Sequence, residues 1–529
     1  MRNKIFNQLG IIALVALVLT SCTKNLDRQP KYGNTAASLY VNLAGYKSVL
    51  AKTYAGLTLT GNSGPDGQGD IAGIDEGFSS YIRQYWSAQE LSTDEAVIGW
   101  NDATIKDFHN LSWSSADVFL RALYSRIFFQ ITLCNEFIRE SAPSKLSERN
   151  ISGADATEIG YMNAEARFLR ALSYYHALDL YGNVPFVTEA DNVGAFLPNQ
   201  ISRANLFNYV ESELKAIETQ LKDARTNEYG RADKAAAWAL LSRLYLNAEV
   251  YTGTARYTDC ITYCNKATAI AGYSLVNNYR NLFLADNNAT STSEFIFAVN
   301  FDGNKARTWG GTTFLVHAPI GGSMSAASHG VDGGWGGIRT TKQFVQKFAG
   351  PAGDSRENFY TSGQNLDIND ISNFNDGYAI VKFRNVTSTG AAGSNATWVD
   401  TDFPFFRLAE IYLNYAEAVL RGGTGGSSAT ALTYINNLRQ RAYGNATGNI
   451  LAAQLTVPFI IDERAKELHW EGVRRTDLIR FGQFTEASYL WAWKGGVAGG
   501  QAVSNSRKLY PIPSSDLVAN PNLVQNPGY

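Results

Sequence analysis

The chain has 529 residues, of which 45% are hydrophobic, 12% aromatic and 18% charged, with a formal net charge of −2. That length accommodates one very large domain or two to three ordinary ones. The near-neutral balance, without any run of basic residues, excludes a nucleic-acid binder held by a cationic face.

At the N-terminus Arg2 and Lys4 precede an apolar stretch at 11–19 that is too short to span a bilayer comfortably. Leu19-Thr20-Ser21-Cys22 follows, small residues leading into a cysteine, and then a polar tail. This layout predicts a lipoprotein signal over 1–21, with Cys22 as the acylated first residue of the mature protein. One acyl chain holds a protein only marginally, so an anchor of several chains is expected to be firm. Loss of 1–21 removes two basic residues and no acid, which leaves a net charge of −4. No later stretch reaches the length of an apolar span, so the mature body is expected to be soluble. Cys134, Cys260 and Cys264 cannot all pair and read as buried thiols.

Helical periodicity predicts helices over 120–140, 164–181, 233–250, 407–421 and 457–481. In the second, Phe168, Ala171, Leu172, Tyr175 and Leu178 share one face, Gly182 supplies the stop and Pro185 bars continuation. The third opens on Asp233 as an N-cap, the fourth ends at Gly422-Gly423, and the fifth has Pro458 in its first turn. Alanine at close-packing positions opposite Tyr, Leu and Arg suits antiparallel helix pairs of the tetratricopeptide kind, although no strict repeat is present. Short strands are expected at 294–300 and 378–383. Long irregular segments at 61–77, 301–337 and 361–402 are of the length that usually carries function. The fold class is therefore all-α (mainly helical): tetratricopeptide-like helix pairs forming a scaffold, with long irregular loops and a few short strands on one face.

Five segments in order resemble the SusD/RagB family of outer-membrane lipoproteins: Glu90-Leu91-Ser92-Thr93-Asp94-Glu95, then 164–189, 406–420, 462–482 and 509–529. Gly353-Asp354-Ser355-Arg356 matches a Gly-Asp-x-Arg turn of the same family. The resemblance runs from the lipidation signal to the last residue. It implies a scaffold of four helix pairs, with an N-terminal half at 22–232 and a C-terminal half at 233–529 forming one compact unit. It also implies a lipid-anchored protein, not an enzyme, that binds oligosaccharide and acts as a lid on a SusC-like TonB-dependent transporter. Only Asp27 is acidic within 23–30, so display at the cell exterior follows from the family rather than from these residues. The alternatives are a RagB-like binder of peptides or protein fragments and, less favoured, a surface glycoside hydrolase.

A sugar site needs flat apolar surface for pyranose C–H faces and polar groups for the hydroxyls. The family implies an aromatic just after the acidic motif, which points to Trp100, flanked by Asn101 and Asp102. It draws a second aromatic from the glycine-rich segment, where Trp335 is favoured over Trp309. Arg83, Tyr85, Trp86 and Trp398 are weaker candidates for the same surface, whereas Trp113, Trp238 and Trp470 read as core. Asp94 and Glu95 are adjacent in sequence and read as loop bracing rather than a glycosidase pair. Glu467 and Glu471, four apart on one predicted helix face, are expected to join ion pairs with Arg464, Arg474 and Arg475. No short catalytic or phosphate-binding motif is present. The histidines (His109, His176, His317, His329, His469) lack metal spacing, so no metal or cofactor is expected.

Overall fold

The structure is a computed structural model that describes residues 35–65, 69–194 and 196–529. The expected signal at 1–21 and the expected lipidation site Cys22 lie outside the described residues.

The protein is mainly helical, and several of its helices start where a side chain satisfies free N–H groups of the first turn. In α1 (Leu43–Ala55) the cap is Asn42, and α2 (Tyr81–Glu90) follows a long loop. The Asp117 carboxylate accepts from Phe119 and Leu120 N at 2.9 Å and opens α3 (Val118–Glu140). The predicted 164–181 helix is the second half of α4 (Gly153–Leu180). Ser202 caps α5 (Arg203–Ile217), and Asp233 caps α6 (Lys234–Leu246), as expected from the sequence. Next come α7 (Tyr257–Thr268), α8 (Gly311–His317), α9 (Leu408–Leu420), α10 (Ser428–Tyr443), α11 (Val457–Leu468) and α12 (Arg474–Arg480). Helix α3 packs on α4 and α4 on α5, while α6 packs on α7, α7 on α9 and α9 on α10. Ala164, Ala166, Ala171 and Ala177 of α4, with Ala235, Ala236 and Ala237 of α6, are fully buried where these helices approach. Cys134, Cys260 and Cys264 are free and buried.

Strands are short and paired in twos: β1 (Val97–Ile98) with β5 (Ile338–Arg339), β2 (Val184–Pro185) with β3 (Gln200–Ile201), β4 (Phe295–Val299) with β8 (Phe403–Arg407), and β6 (Phe359–Tyr360) with β7 (Ala379–Ile380). All four pairs are antiparallel. The expected strand at 294–300 is β4, whereas that at 378–383 shortens to β7.

The predicted continuous helix over 457–481 is broken. Helix α11 ends at Leu468, Trp470 takes a left-handed φ of 63° and Gly472 one of 79°, and α12 resumes at Arg474. The reason is competition for backbone donors. Trp470 N donates to the Glu95 carboxylate at 2.9 Å, and Gly472 N and Val473 N donate to Glu90 Oε1 at 2.7 and 3.1 Å. Glu471 thus lies beyond the helix, not on a face shared with Glu467.

Both acids do enter a buried ion network, but with other partners than the sequence suggested. Arg407 holds Glu294 at 2.9 Å, Glu467 at 2.6 Å and Glu471 at 2.7 Å, and Lys382 holds Glu471 at 2.7 Å. Arg464 pairs instead with Asp477, Arg474 with Asp94, and Arg475 donates to the carbonyls of Arg507 and Lys508.

The Glu90 and Glu95 carboxyls lie together in the core. Burial pushes Glu90 up to about 7, and burial with the neighbouring Glu90 charge pushes Glu95 well above the ordinary carboxylate range. A proton that the folded state keeps and the unfolded chain releases stabilises the fold below the ordinary carboxylate range. That contribution is lost as pH rises toward 7. Glu90→Gln keeps an oxygen acceptor for Gly472 and Val473 and removes one titrating group. Denaturant unfolding of both proteins between pH 4.5 and 7 should show the variant gaining on wild type by up to about 1.4 kcal/mol per pH unit. A pH-independent difference would rule the shared proton out.

Candidate functional site

The ladder β1–β5 places the first two aromatic candidates side by side. Val97 pairs with Arg339 and Ile98 with Ile338, and Gly99 N continues the ladder to Gly337 O at 2.9 Å. Trp100 therefore leaves β1 opposite the turn that carries Trp335, and its Nε1 donates to the Trp335 carbonyl at 3.1 Å. Helix α8 and the residues after it support that turn from below. Trp335 N bonds His317 O at 2.9 Å, and Gly337 N bonds Ala318 O at 2.8 Å. The segment read as irregular from sequence thus contains a helix whose last residue, His317, stacks under Trp335 with ring centroids 4.9 Å apart and planes 19° from parallel. His317 is clamped between the carbonyls of Gly333 at 2.7 Å and Thr397 at 3.0 Å, and burial draws its pKa down. Phe314, one turn earlier, meets both Trp100 and Trp335 edge-on or tilted at 6.2 and 6.5 Å.

Four half-buried tryptophans make a row. Ring centroids of Trp100 and Trp335 are 6.3 Å apart with planes 46° apart; Trp335 and Trp309 are at 6.3 Å and 54°, and Trp309 and Trp398 at 5.5 Å and 52°. A shallow depression of about 420 Å³ opens over this row, lined by Gly77, Arg83, Trp100, Asp102, Trp309 and Trp335. Arg83 Nη1 donates to the carbonyls of Gly77 at 3.0 Å and Trp309 at 3.2 Å, while its guanidinium lies 4.3 Å from the Phe314 ring centre. Burial draws Arg83 down to about 10, which leaves it cationic at neutral pH. Arg307 covers the far end of the row, 5.1 Å from the Trp398 ring centre.

The candidates from sequence divide accordingly. Trp100, Trp335, Trp309, Asp102 and Arg83 line one depression, and Trp398 extends the row. Asn101 is exposed beside the depression, outside its lining. Tyr85 and Trp86 leave the candidate set because both are fully buried in α2. The Tyr85 hydroxyl donates to Gly472 O at 2.7 Å, and Trp86 Nε1 donates to Trp470 O at 3.1 Å. Trp113, Trp238 and Trp470 are buried. Phe314 and His317 escaped sequence reading: GTTFLVH is too short to show helical periodicity, and nothing local marks its contact with Trp335.

Over its whole length this chain is 36% identical to the starch-binding protein SusD of Bacteroides thetaiotaomicron, covering 100% of each. The chain belongs to the SusD family. The SusD family model matches residues 350–529, and a family described as starch-binding, associating with the outer membrane, matches 72–246. A SusD-like protein of Bacteroides ovatus is 23% identical, with 90% of this chain and 83% of that one covered. The solved structure of surface glycan-binding protein A from Bacteroides thetaiotaomicron with laminarihexaose superposes with a TM-score of 0.70 at 20% identity, covering 91% and 99% of the two chains. That likeness shows the shared fold. Among the described residues, no helix is long and apolar enough to cross a membrane.

In this SusD-family chain the tryptophan row depends on a glycine. A Cβ added at Gly337 would lie 2.3 Å from the Trp100 ring, so only glycine lets the indole rest on the backbone of β5's approach. Gly337→Ala should destabilise the protein by about 1–3 kcal/mol through overpacking and displace Trp100. Near-ultraviolet circular dichroism with thermal melts checks this; an unchanged aromatic spectrum would show that Trp100 does not rest there.

Proposed function

We propose that the tryptophan row is a carbohydrate platform. In this reading the protein binds a coiled polysaccharide chain of the starch type and presents it, without cleaving it, for uptake. The observation that carries this is a row of four half-buried indoles, each inclined by 46–54° to the next. Indole faces stack on pyranose C–H surfaces. A flat, ribbon-like glycan would meet one ring squarely and leave the next, whereas a coiled chain can follow the inclined faces. Arg83 and Asp102 at the rim supply a donor and an acceptor for hydroxyls. The 36% identity to a protein named as starch-binding supports the same choice of polymer.

Among the described residues, Asp102 is the only carboxylate lining the depression, and hydrolysis of a glycosidic bond ordinarily requires two that flank it. Asp94 and Glu95, the other acids near Trp100 in sequence, are buried in structural contacts. This favours capture over catalysis. Anchoring through lipidated Cys22 at the outer membrane, facing outward, and delivery to a SusC-like TonB-dependent transporter complete the reading. Hand-over then requires the glycan to prefer the state closed on the transporter, since a ligand shifts a conformational equilibrium only by its difference in affinity.

The test is affinity electrophoresis of the Cys22→Ser protein through gels containing soluble starch. Wild type should be retarded, and Trp100→Ala or Trp335→Ala should each bind about thirtyfold more weakly, the loss of roughly 2 kcal/mol expected of a central aromatic. Equal retardation of wild type and both variants would remove the platform from this role.

A further inference from the structure

A second concave site shares no lining residue with the tryptophan row. It is a cleft of about 320 Å³ between α1, the turn at 228–231 and the end of β4. Tyr54, Phe297 and Tyr229 give it aromatic walls, and Tyr229 is 38% exposed. Two of its charged groups are loosely held, whereas Arg231 is tied to Glu165 at 2.6 Å and Thr58 Oγ1 donates to the Asn300 carbonyl at 3.1 Å. Lys47 Nζ stands 3.9 Å from Glu228, a pair with side chains 48% and 67% exposed and therefore of little stabilising value. The Asn300 amide makes no hydrogen bond to another described residue, and a solvated cation, a carboxylate and an amide thus surround aromatic walls. That combination, at the lower end of the ~300–1,000 Å³ typical of ligand pockets, suits a short polar ring compound with apolar faces.

The cleft is also held in shape and tied to the platform. Gly230 has a φ of +80°, the left-handed region that favours glycine, and its Cα packs so closely on the Asn300 side chain that a Cβ would lie 2.3 Å from it. The Tyr229 hydroxyl donates to Asp402 at 2.8 Å, and Phe301 N donates to the other oxygen of the same carboxylate at 2.7 Å. Phe301 begins the segment that passes through Ala306, which lines the cleft, to Trp309 of the platform. Trp309 is three positions on from Ala306, at most about 11 Å of chain.

We propose that this cleft is a second saccharide subsite, taking a neutral sugar ring of the same polymer that lies on the tryptophans. The proposal rests on the glycan reading of the platform. Two linked weak contacts on one polymer strengthen binding by effective concentration, without either site being tight alone.

Glu228→Ala/Asn300→Ala removes two exposed side chains, and Ala306→Trp fills the cleft. In the Cys22→Ser background both variants should be retarded by soluble starch about tenfold less than wild type. Their titration with maltotriose, short enough for the platform alone, should not change. Crystals grown with maltoheptaose should show sugar in the cleft as well as on the tryptophans. Wild-type retardation of both variants, with sugar on the platform only, would overturn the subsite and leave the platform standing. If Trp100→Ala is also retarded like wild type, the platform reading and the subsite fall together. If the variants bind starch normally but no longer co-purify with an outer-membrane transporter, the cleft receives a protein side chain and the saccharide proposal is wrong.

Discussion

Much of this structure hangs on the Asp94 carboxylate in the core. Arg474 grips it with two bonds, Nε at 2.7 Å and Nη2 at 2.9 Å, and the Tyr489 hydroxyl donates to it at 2.6 Å. The Arg474 and Asp94 side chains are removed from water and Tyr489 is half-buried, and the pair joins residues 380 apart. Removing one partner of such a pair costs about 3–5 kcal/mol, because the survivor is left charged without compensation. Burial alone would raise the Asp94 pKa, but the Arg474 charge and hydrogen bonds, with those of Lys347 and Tyr489, hold it below the ordinary carboxylate range. The same residue also anchors the third segment: Thr341 Oγ1 donates to the Asp94 carbonyl at 2.7 Å. One residue thereby gathers the end of α2, the start of α12 and the exit of β5.

That junction sets the geometry of the site. With Asp94 tied to Thr341, the chain runs three residues to β1 beside β5, and Trp100 must emerge next to Trp335. Neighbouring Glu90 and Glu95 take the backbone donors of 470–473, break the helix there and seat Trp470 in the core against Trp86. The acidic motif therefore acts on the platform from behind, by bracing the ladder that carries it. Arg83 has a comparable role in front, since its bonds to the Gly77 and Trp309 carbonyls join two loops. Loops without regular structure can be held rigidly in this way, by buried charge and backbone carbonyls rather than by ladders.

Particular residues show which features were legible in the chain. The Asp233 cap, the alanine-lined faces of α4 and α6, and the free buried cysteines follow from local rules of capping, periodicity and composition, and the structure reproduces them. The buried state of Trp113, Trp238 and Trp470 was legible for the same reason, because each sits in or beside an amphipathic segment. Tyr85 and Trp86 misled because every residue of α2 but Arg83 is buried, so its sequence offers almost no solvent face against which to read an aromatic. Helix 457–481 misled because its break is imposed by two carboxylates nearly 380 positions away, which no window of local sequence contains.

Sequence alone determined the class of fold, the family and the residue types from which a carbohydrate surface is made, since each of these is written in short-range pattern. It also singled out Trp100, by its place after the acidic motif that the family resemblance carries, and Trp335 and Trp309, by their glycine-rich segment. What only the tertiary structure decided is their arrangement. The three, joined by Trp398, form one row of mutually inclined rings, set by a two-residue ladder, a glycine under an indole and a histidine stacked from below. Those contacts span up to 242 residues of chain, from Val97 to Arg339. Contacts at that separation depend on packing and on buried charge pairs far from either partner, so no local pattern could state them.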